Sequence, residues 1–294
     1  MKIGLYNLEP KYINIALEKI RAYYTLHGHV VENCSPLEAS NYDVVYCSSL
    51  FDWSDKKYVS ASMIKGGTGF DLTTKLPKEI DAVELKINRG FSSRGCPNKC
   101  KFCVVPQKEG DIYVVCDVLS LWDGKSKLVT LYDNNILALP QHFELNTKQA
   151  IENKITLDYN QGLDHRLLTS DIVELMKKVS HVEYRFAFDN PHSIASVEYA
   201  IDLLQSKGIN RSLWYVLCGF DTTFEQDLFR LNYLKSRNQN AFVQRFKSKN
   251  KIANPKLTAL ARWANQHHIF QGMTWNEFLK RSDNPDYYRE FLVS

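Results

Sequence analysis

The 294-residue sequence lacks any apolar run of the length needed to cross a bilayer, about 20 residues. Its net charge is only +4, which is far from the strongly basic composition of a dedicated nucleic-acid-binding protein. The first residues, Met1 to Tyr6, show no basic segment followed by a long apolar one, as a secretory signal would. These absences predict a soluble, cytoplasmic protein with no membrane partner, in which thiols stay reduced.

Cysteine is sparse, and four of the seven cysteines are isolated along the chain. Cys34, Cys47, Cys116 and Cys218 have no neighbouring cysteine at ligand spacing, so no auxiliary metal cluster is expected. A lone thiol behaves as a small apolar side chain in most proteins. We therefore predict that these four are buried hydrophobic residues.

The other three cysteines, Cys96, Cys100 and Cys103, form a Cys-x3-Cys-x2-Cys pattern on one short segment. The histidines nearest in sequence, His29 and His142, lie tens of residues away, which disfavours a four-ligand zinc site. Each of the four irons of a [4Fe–4S] cluster takes an external ligand, so three thiolates leave one iron open. An electron carrier fills that place with a fourth cysteine, whereas an open iron can bind a small molecule.

This spacing, with Phe102 directly before the third cysteine, resembles the signature of the radical S-adenosylmethionine (SAM) enzymes. In that family the open iron chelates SAM, and reductive cleavage of the sulfonium yields a 5′-deoxyadenosyl radical that abstracts hydrogen from a substrate. The resemblance implies a [4Fe–4S] cluster and SAM as cofactors, and a reductase such as flavodoxin or ferredoxin as a partner. It extends to short phage and anaerobe members through Gly-Gly-Thr-Gly-Phe-Asp at 66–71 and Gln-Gly-Leu-Asp-x-Arg-Leu-Leu-Thr at 161–169.

Residues 1–80 are predicted to form a small Rossmann-like α/β unit, with strands at 2–6, 43–47 and 62–65 and two intervening helices. The unit resembles a shortened form of the cobalamin-binding domain that precedes many radical SAM barrels. Its Asp-x-His-x-x-Gly motif, which supplies the lower cobalt ligand in that family, is absent. We therefore expect no cobalamin, and the glycines at 66–69 could serve either a ligand or a tight turn.

Residues 81–250 alternate strands and helices, and residues 251–294 are predicted to be a C-terminal helical tail. The predicted strands lie at 85–88, 127–132, 155–159, 182–188, 213–217 and 241–244. Nearly continuous apolar strands predict a parallel sheet covered by helices. Periodicity alone leaves a doubly wound sheet equally open, whereas the resemblance implies a six-stranded partial (β/α)6 TIM-like barrel.

Ligand-binding groups of parallel α/β folds cluster where strands end at their carboxyl side. Given the resemblance, SAM contacts are expected from Phe102, Asp133, Asn134, Asn160, Arg166, Asp189 and Gly219. Within this set, Asp133 and Asn134 would hold the amino group, and Phe102 and Gly219 would place their backbones against the adenine.

Two of these assignments have competing interpretations. Arg166 could pair with the methionyl carboxylate of SAM, or it could form a salt bridge within an ordinary Asx turn. Asp189 could accept the ribose hydroxyls, or it could cap the helix that begins near Pro191.

The predicted function is reductive cleavage of SAM that starts radical chemistry on an unidentified substrate, either a small molecule or a nucleic-acid base. The reaction class within the radical SAM enzymes is left open. One alternative is a non-catalytic iron–sulfur carrier or redox sensor, and another is a cobalamin-dependent methyltransferase. The polar strand ends at Asp133, Asn160 and Asp189 favour the enzyme, because a carrier would not need them. The basic run at 247–251 is either a nucleic-acid contact or a solvated loop.

Overall fold

The computed structural model of this chain describes residues 1–246, 254–281 and 289–292. The basic run at 247–251 lies outside the described residues. The chain divides into two compact units, Met1–Val129 and Thr130–Ser294. The three-part division predicted from the sequence, with boundaries after 80 and 250, stays a prediction.

The first unit begins with a four-stranded, all-parallel sheet in the order β2-β1-β3-β4. Its elements are β1 (Lys2–Asn7), α1 (Ile15–Leu26), β2 (Val30–Asn33), β3 (Val44–Ser48) and β4 (Ile64–Gly66). Helix α1 begins where the Asn14 side chain accepts the Leu17 N–H, and its Leu17 and Ile20 form one core with Ile3 and Leu5 of β1. Parallel strands packed against a helix are therefore confirmed for this part of the chain.

Two local predictions in this unit were wrong. Strand β2 was not expected, because its four residues follow a glycine turn at Gly28 and are too few for a periodic signal. Residues 49–63 contain no helix, although one was predicted between the second and third strands. That segment is rich in Ser and Asp, whose side chains bond to nearby backbone and favour turns.

The remaining α-helices and strands of the first unit are short. They are α2 (Lys78–Asp81), β5 (Arg89–Gly90), β6 (Ser93–Arg94), α3 (Val105–Lys108), β7 (Tyr113–Val114) and α4 (Val118–Leu121). Strands β6 and β7 pair antiparallel on either side of the cysteine segment. The strand predicted at 85–88 does not form, because Asn88 adopts a left-handed φ of 60° and donates its N–H to Leu121 instead.

The second unit alternates strands and helices along the chain. Strand β8 (Leu128–Leu131) spans the unit boundary and is followed by α5 (Pro140–Glu152), β9 (Thr156–Tyr159), α6 (Ser170–Lys178), β10 (Arg185–Ala187), α7 (Ile194–Ser206), β11 (Leu213–Cys218), α8 (Phe224–Ser236) and β12 (Asn240–Arg245). Helices α9 (Pro255–Ala264), α10 (His267–Gly272) and α11 (Trp275–Lys280) follow, as the predicted helical tail requires. Five of the six predicted strands are thus present, with β10 shorter than expected.

Strands β10, β11 and β12 lie side by side in chain order and run parallel. Strand β8 is the neighbour of β9, and a parallel bridge between Leu157 and His181 links β9 to the segment that precedes β10. The architecture is therefore α/β, with parallel pairing in the four-stranded sheet of the first unit and in the β10-β11-β12 sheet. No helix in the described ranges is both long enough and apolar enough to cross a membrane.

Alternation along these strands separates two faces of the sheet. One face is fully buried and apolar, and it comprises Phe186, Trp214, Val216, Cys218, Ala241 and Val243. Helix α8 contacts both β11 and β12, and its Leu231 and Leu234 are completely buried. The opposite face carries Arg185, Tyr215 and Gln244, which are only partly buried or exposed. Polar groups on a strand therefore face away from the helices that cover the sheet.

Candidate functional site

The cysteine segment is anchored by a close approach of two backbone stretches. Gly95 has a φ of 80°, and a Cβ at that position would lie 2.1 Å from the carbonyl oxygen of Asp111. The N–H of Cys96 donates to the carbonyl oxygen of Gly110 at 3.2 Å. Only glycine fits such a position, so the residue before the first cysteine fixes the start of the loop.

Backbone N–H groups point at the sulfurs of Cys96 and Cys103. The N–H of Asn98 donates to Sγ of Cys96 at 3.4 Å, and the N–H of Val105 donates to Sγ of Cys103 at 3.5 Å. Such bonds stabilise negative charge on sulfur and are among the interactions that tune protein-bound iron–sulfur clusters. The donor chemistry of the loop therefore suits thiolate ligands.

Cys100, the middle cysteine of the pattern, is exposed, whereas Cys96 and Cys103 are partly buried. None of the seven cysteines, all of which are described, forms a disulfide. Across the described ranges, no three side chains of the types His, Cys, Asp and Glu are gathered so that they could hold a metal ion. The three cysteines thus share one loop, and their role as a ligand set stays a prediction.

Three of the isolated cysteines are buried, as predicted: Cys34, Cys47 and Cys218. Burial raises the pKa of the Cys47 thiol to about 12, and it also raises the pKa of the Cys34 and Cys218 thiols. Cys116 is only partly buried, and its thiol donates to the carbonyl oxygen of Phe91 at 3.6 Å. A raised pKa disfavours the thiolate, which is the form of cysteine that binds metal.

The second unit contains a pocket of about 360 Å³ at the carboxyl ends of its strands. Its lining consists of Asn160, Gln161, Ala187, Asp189, Tyr215 and Gln244. The lining includes three carboxamides, one carboxylate and one phenol, but no Lys, Arg or His side chain. This composition suits a neutral or cationic polar ligand better than a phosphate.

Asp189 and Asn160 are the two predicted site residues that line this pocket. Ala187, Tyr215 and Gln244 were not expected from the sequence, whereas Gln161 begins the motif at 161–169. For Tyr215 and Gln244 a signal was available, because both are polar residues at alternating positions within otherwise apolar strands.

Asp189 is tied to the neighbouring strand and does not cap a helix. Its Oδ1 accepts the backbone N–H of Leu217 at 2.8 Å. Asn190 is instead the N-cap of the short 3-10 helix Pro191–Ser193, because its side chain accepts the His192 N–H at 2.9 Å. Burial raises the pKa of Asp189, while the Leu217 N–H and the Arg230 charge oppose that rise. The helix-cap interpretation of Asp189 is therefore wrong, and the carboxylate is a partly desolvated pocket group.

The phenol of Tyr215 is fixed at the edge of the pocket. Its hydroxyl donates to the carbonyl oxygen of Asn160 at 3.2 Å, and burial raises its pKa. The turn after Asn160 is held by Gly162, whose φ is 90°, and by the Leu163 N–H, which donates to the carbonyl oxygen of Arg185 at 2.7 Å. These bonds join the end of β9 to β10 and β11, so the pocket rim is pre-organised.

Arg166 forms a salt bridge within its own turn, which is the second of the two interpretations given for this residue. Its guanidinium donates to Asp164 through Nε at 2.8 Å and through Nη2 at 2.7 Å. Asp164 also accepts the Arg166 N–H at 3.2 Å and a side-chain N–H from Asn135 at 3.1 Å. The structure therefore accounts for Arg166 within its own turn, and its contact with a ligand carboxylate stays a prediction.

The other predicted contacts, Phe102, Asp133, Asn134 and Gly219, do not line the pocket. Asp133 is buried two residues after the end of β8, and Phe102 is exposed within the cysteine loop. Gly219 has a φ of 81°, and a Cβ there would lie 2.6 Å from Cδ1 of Leu257. Gly219 is thus required by its turn and by the packing of α9.

The glycines at 66–69 allow two loops of the first unit to touch. Gly67 has a φ of 96°, and a Cβ there would lie 2.3 Å from the carbonyl oxygen of Ser49. The Thr68 hydroxyl donates to the Leu50 carbonyl oxygen at 2.8 Å, and the buried Glu9 carboxylate accepts the Leu50 N–H at 2.9 Å. The glycines therefore serve a tight turn, which is one of the two uses that the sequence left open.

Compared with known proteins, the chain matches no protein-family model and no curated sequence.

Proposed function

We propose that this chain is a radical SAM enzyme. The observation that carries the proposal is the Cys-x3-Cys-x2-Cys loop, in which backbone N–H groups donate to Sγ of Cys96 and of Cys103. Cys96, Cys100 and Cys103 would hold a [4Fe–4S] cluster, which supplies the electron that cleaves the SAM sulfonium. A cytoplasmic reductase such as flavodoxin or ferredoxin would deliver that electron, and the substrate is a small molecule or a nucleic-acid base.

The pocket of the second unit is the proposed site for the adenosyl part of SAM. Its volume of about 360 Å³ lies at the lower end of the range for small-molecule sites. Asp189 can accept hydrogen bonds from ribose hydroxyls, and its negative charge complements the positive sulfonium. The carboxamides of Asn160 and Gln244 can each donate and accept, as the edge of an adenine requires.

The finer fold is part of the same proposal. Strands β8 to β12 follow one another in chain order, with parallel pairing wherever a register is defined from β9 to β12. Their polar face and the pocket lie on the side away from α8. We propose that these strands belong to a six-stranded partial TIM-like barrel, which would enclose that polar face.

A non-catalytic electron carrier is the rival function, and the pocket is the feature that separates the two. A carrier needs only the cluster and access for its redox partner, so it has no use for a carboxylate held partly desolvated at a strand end. Asp189 is such a carboxylate. The pocket therefore favours an enzyme.

The test is anaerobic reconstitution with iron and sulfide, followed by incubation with SAM and dithionite and detection of 5′-deoxyadenosine. Wild-type protein is expected to release 5′-deoxyadenosine, and Cys103→Ala is expected to release none. Cys116→Ala is the matched control, because it removes a nearby thiol outside the motif. If wild-type protein forms no more product than Cys103→Ala, the enzyme proposal fails and the carrier is favoured.

A further inference from the structure

A buried ion pair lies directly beneath the pocket strands. Asp227 and Arg230 are three positions apart on α8, and their side chains are 1% and 0% exposed. Arg230 Nη2 donates to Asp227 Oδ1 at 2.5 Å. The function proposed above assigns neither residue a role, and neither lines the pocket.

Each member of the pair also bonds to backbone at the carboxyl ends of the strands. Arg230 donates through Nη1 to the carbonyl oxygen of Phe188 and through Nη2 to that of Leu217, the latter at 2.8 Å. Asp227 Oδ2 accepts the N–H of Gly219 at 2.9 Å. The pair therefore joins the end of β10 to the end of β11 from the helix side.

Leu217 connects this pair to the pocket carboxylate. Its carbonyl oxygen accepts from Arg230, and its N–H donates to Asp189 Oδ1 at 2.8 Å. Phe188, which also accepts from Arg230, is the residue directly before Asp189. Arg230 thus fixes both the backbone that carries Asp189 and the backbone that Asp189 binds.

Stability alone does not explain such a pair. Two buried charges lose their hydration on folding, and apolar residues of similar volume often replace a buried ion pair without loss of stability. A guanidinium that donates in fixed directions to two carbonyl oxygens gives geometry that apolar packing cannot give.

We infer that Asp227 and Arg230 are positioning residues that hold Asp189 in its pocket orientation. This inference rests on the proposed SAM-binding role of the pocket. The ionisable groups that interact electrostatically with Asp189 are Arg230 on α8 and the buried Cys218 thiol on β11. Arg230 is the one cation among them, and its charge lowers the pKa of Asp189 against the rise caused by burial.

The test compares three proteins with wild type after reconstitution. The double variant Asp227→Leu/Arg230→Met removes both charges together, and Arg230→Lys keeps the cation but loses the planar donor pair. The control is Glu144→Leu/Lys148→Met, which removes an exposed ion pair on α5. Two quantities are measured: the SAM dissociation constant by anaerobic equilibrium dialysis, and the Asp189 pKa by NMR of ¹³C-labelled aspartate, assigned with Asp189→Asn.

The double variant is expected to bind SAM at least tenfold more weakly and to show a higher Asp189 pKa. Because SAM binding needs the carboxylate, its loss on acidification should begin at a higher pH than in wild type. Arg230→Lys is expected to bind SAM several-fold more weakly, with a smaller pKa change, and the α5 control should match wild type.

Wild-type SAM affinity and an unchanged Asp189 pKa in a folded double variant would overturn the inference. If the double variant does not fold, wild-type values of both quantities in Arg230→Lys would overturn it. A further outcome separates the two proposals. If the wild-type protein does not bind SAM but the variants shift the Asp189 pKa, the positioning role is supported and the proposed function is contradicted.

Discussion

Asp189 Oδ1 accepts the backbone N–H of Leu217 at 2.8 Å, which links the end of β10 to the adjacent strand β11. One carboxylate oxygen is thereby held by the protein. Among the described residues, no hydrogen bond reaches the second oxygen, Oδ2, and Asp189 lines the pocket. This division of the two oxygens gives the carboxylate a fixed orientation and an available acceptor.

Replacing Asp189 with Asn should separate ligand binding from stability. The asparagine Oδ1 can still accept the Leu217 N–H, so the melting temperature should stay nearly fixed. Loss of the charged acceptor should raise the SAM dissociation constant about tenfold, equivalent to ~1.4 kcal/mol. The matched variant is Asn190→Ala, which removes the neighbouring cap and should cost about 1 kcal/mol of stability with SAM affinity unchanged. Unchanged SAM affinity together with a lower melting temperature in Asp189→Asn would show that Asp189 does not contact SAM.

Cluster assembly should depend on the three clustered cysteines alone. Changing Cys96, Cys100 or Cys103 to Ala should abolish the visible absorbance of the reconstituted cluster, because each supplies a required thiolate. Cys34→Ala and Cys116→Ala should retain it, since one thiol is buried and the other bonds to a backbone carbonyl. Loss of absorbance in either of the latter variants would contradict the assignment.

The first unit should bind no corrinoid. Its sequence lacks the lower-ligand histidine motif, and Gly67 and Gly69 are packed against Ser49 and Phe51. Protein purified after expression with added cobalamin should therefore contain none by absorbance. Stoichiometric corrinoid would overturn this and would favour methyl transfer as the reaction.

Gly67 should tolerate substitution less well than a glycine with open space around it. Gly67→Ala meets both a left-handed φ and a clash with the Ser49 carbonyl, whereas Gly28→Ala meets only the left-handed φ of 77°. The φ penalty alone is about 1–2 kcal/mol, and forced overpacking adds roughly 1–3 kcal/mol more. Urea denaturation of the two variants measures the difference, and equal losses would show that the loop contact carries no energy.

Acid should destabilise the second unit through His165. This residue is 7% exposed, and burial lowers its pKa to about 4. The unfolded chain, with an ordinary pKa of about 6.5, takes up a proton before the folded protein does. Stability is therefore full above pH ~6.5 and is lost as the pH falls towards 4, by at most about 3 kcal/mol. Urea denaturation from pH 7.5 to 5 should show a shallower loss in His165→Asn, and parallel curves would contradict this origin.

The prediction of strands from sequence was most reliable where an apolar run was long and bounded. Leu213–Cys218 and Asn240–Arg245 formed within a residue or two of expectation, because burial on one face demands a period of two. The strand at 85–88 failed because Asn88 takes a left-handed φ, which a tertiary bond to Leu121 stabilises. Because the two residues are far apart in the sequence, no periodic pattern of apolar residues predicts this bond.

The sequence alone determined the cysteine spacing, the parallel α/β pattern and the polar residues at the strand ends, because ligand chemistry and side-chain period are local properties. Only the tertiary structure decided which of those residues meet. It brought Asn160 and Asp189 together with Tyr215 and Gln244, and it assigned Arg166 to Asp164. It also placed the Asp227–Arg230 pair on the far side of Leu217. These relationships depend on strand register and helix packing, and both are set by contacts between residues far apart along the chain.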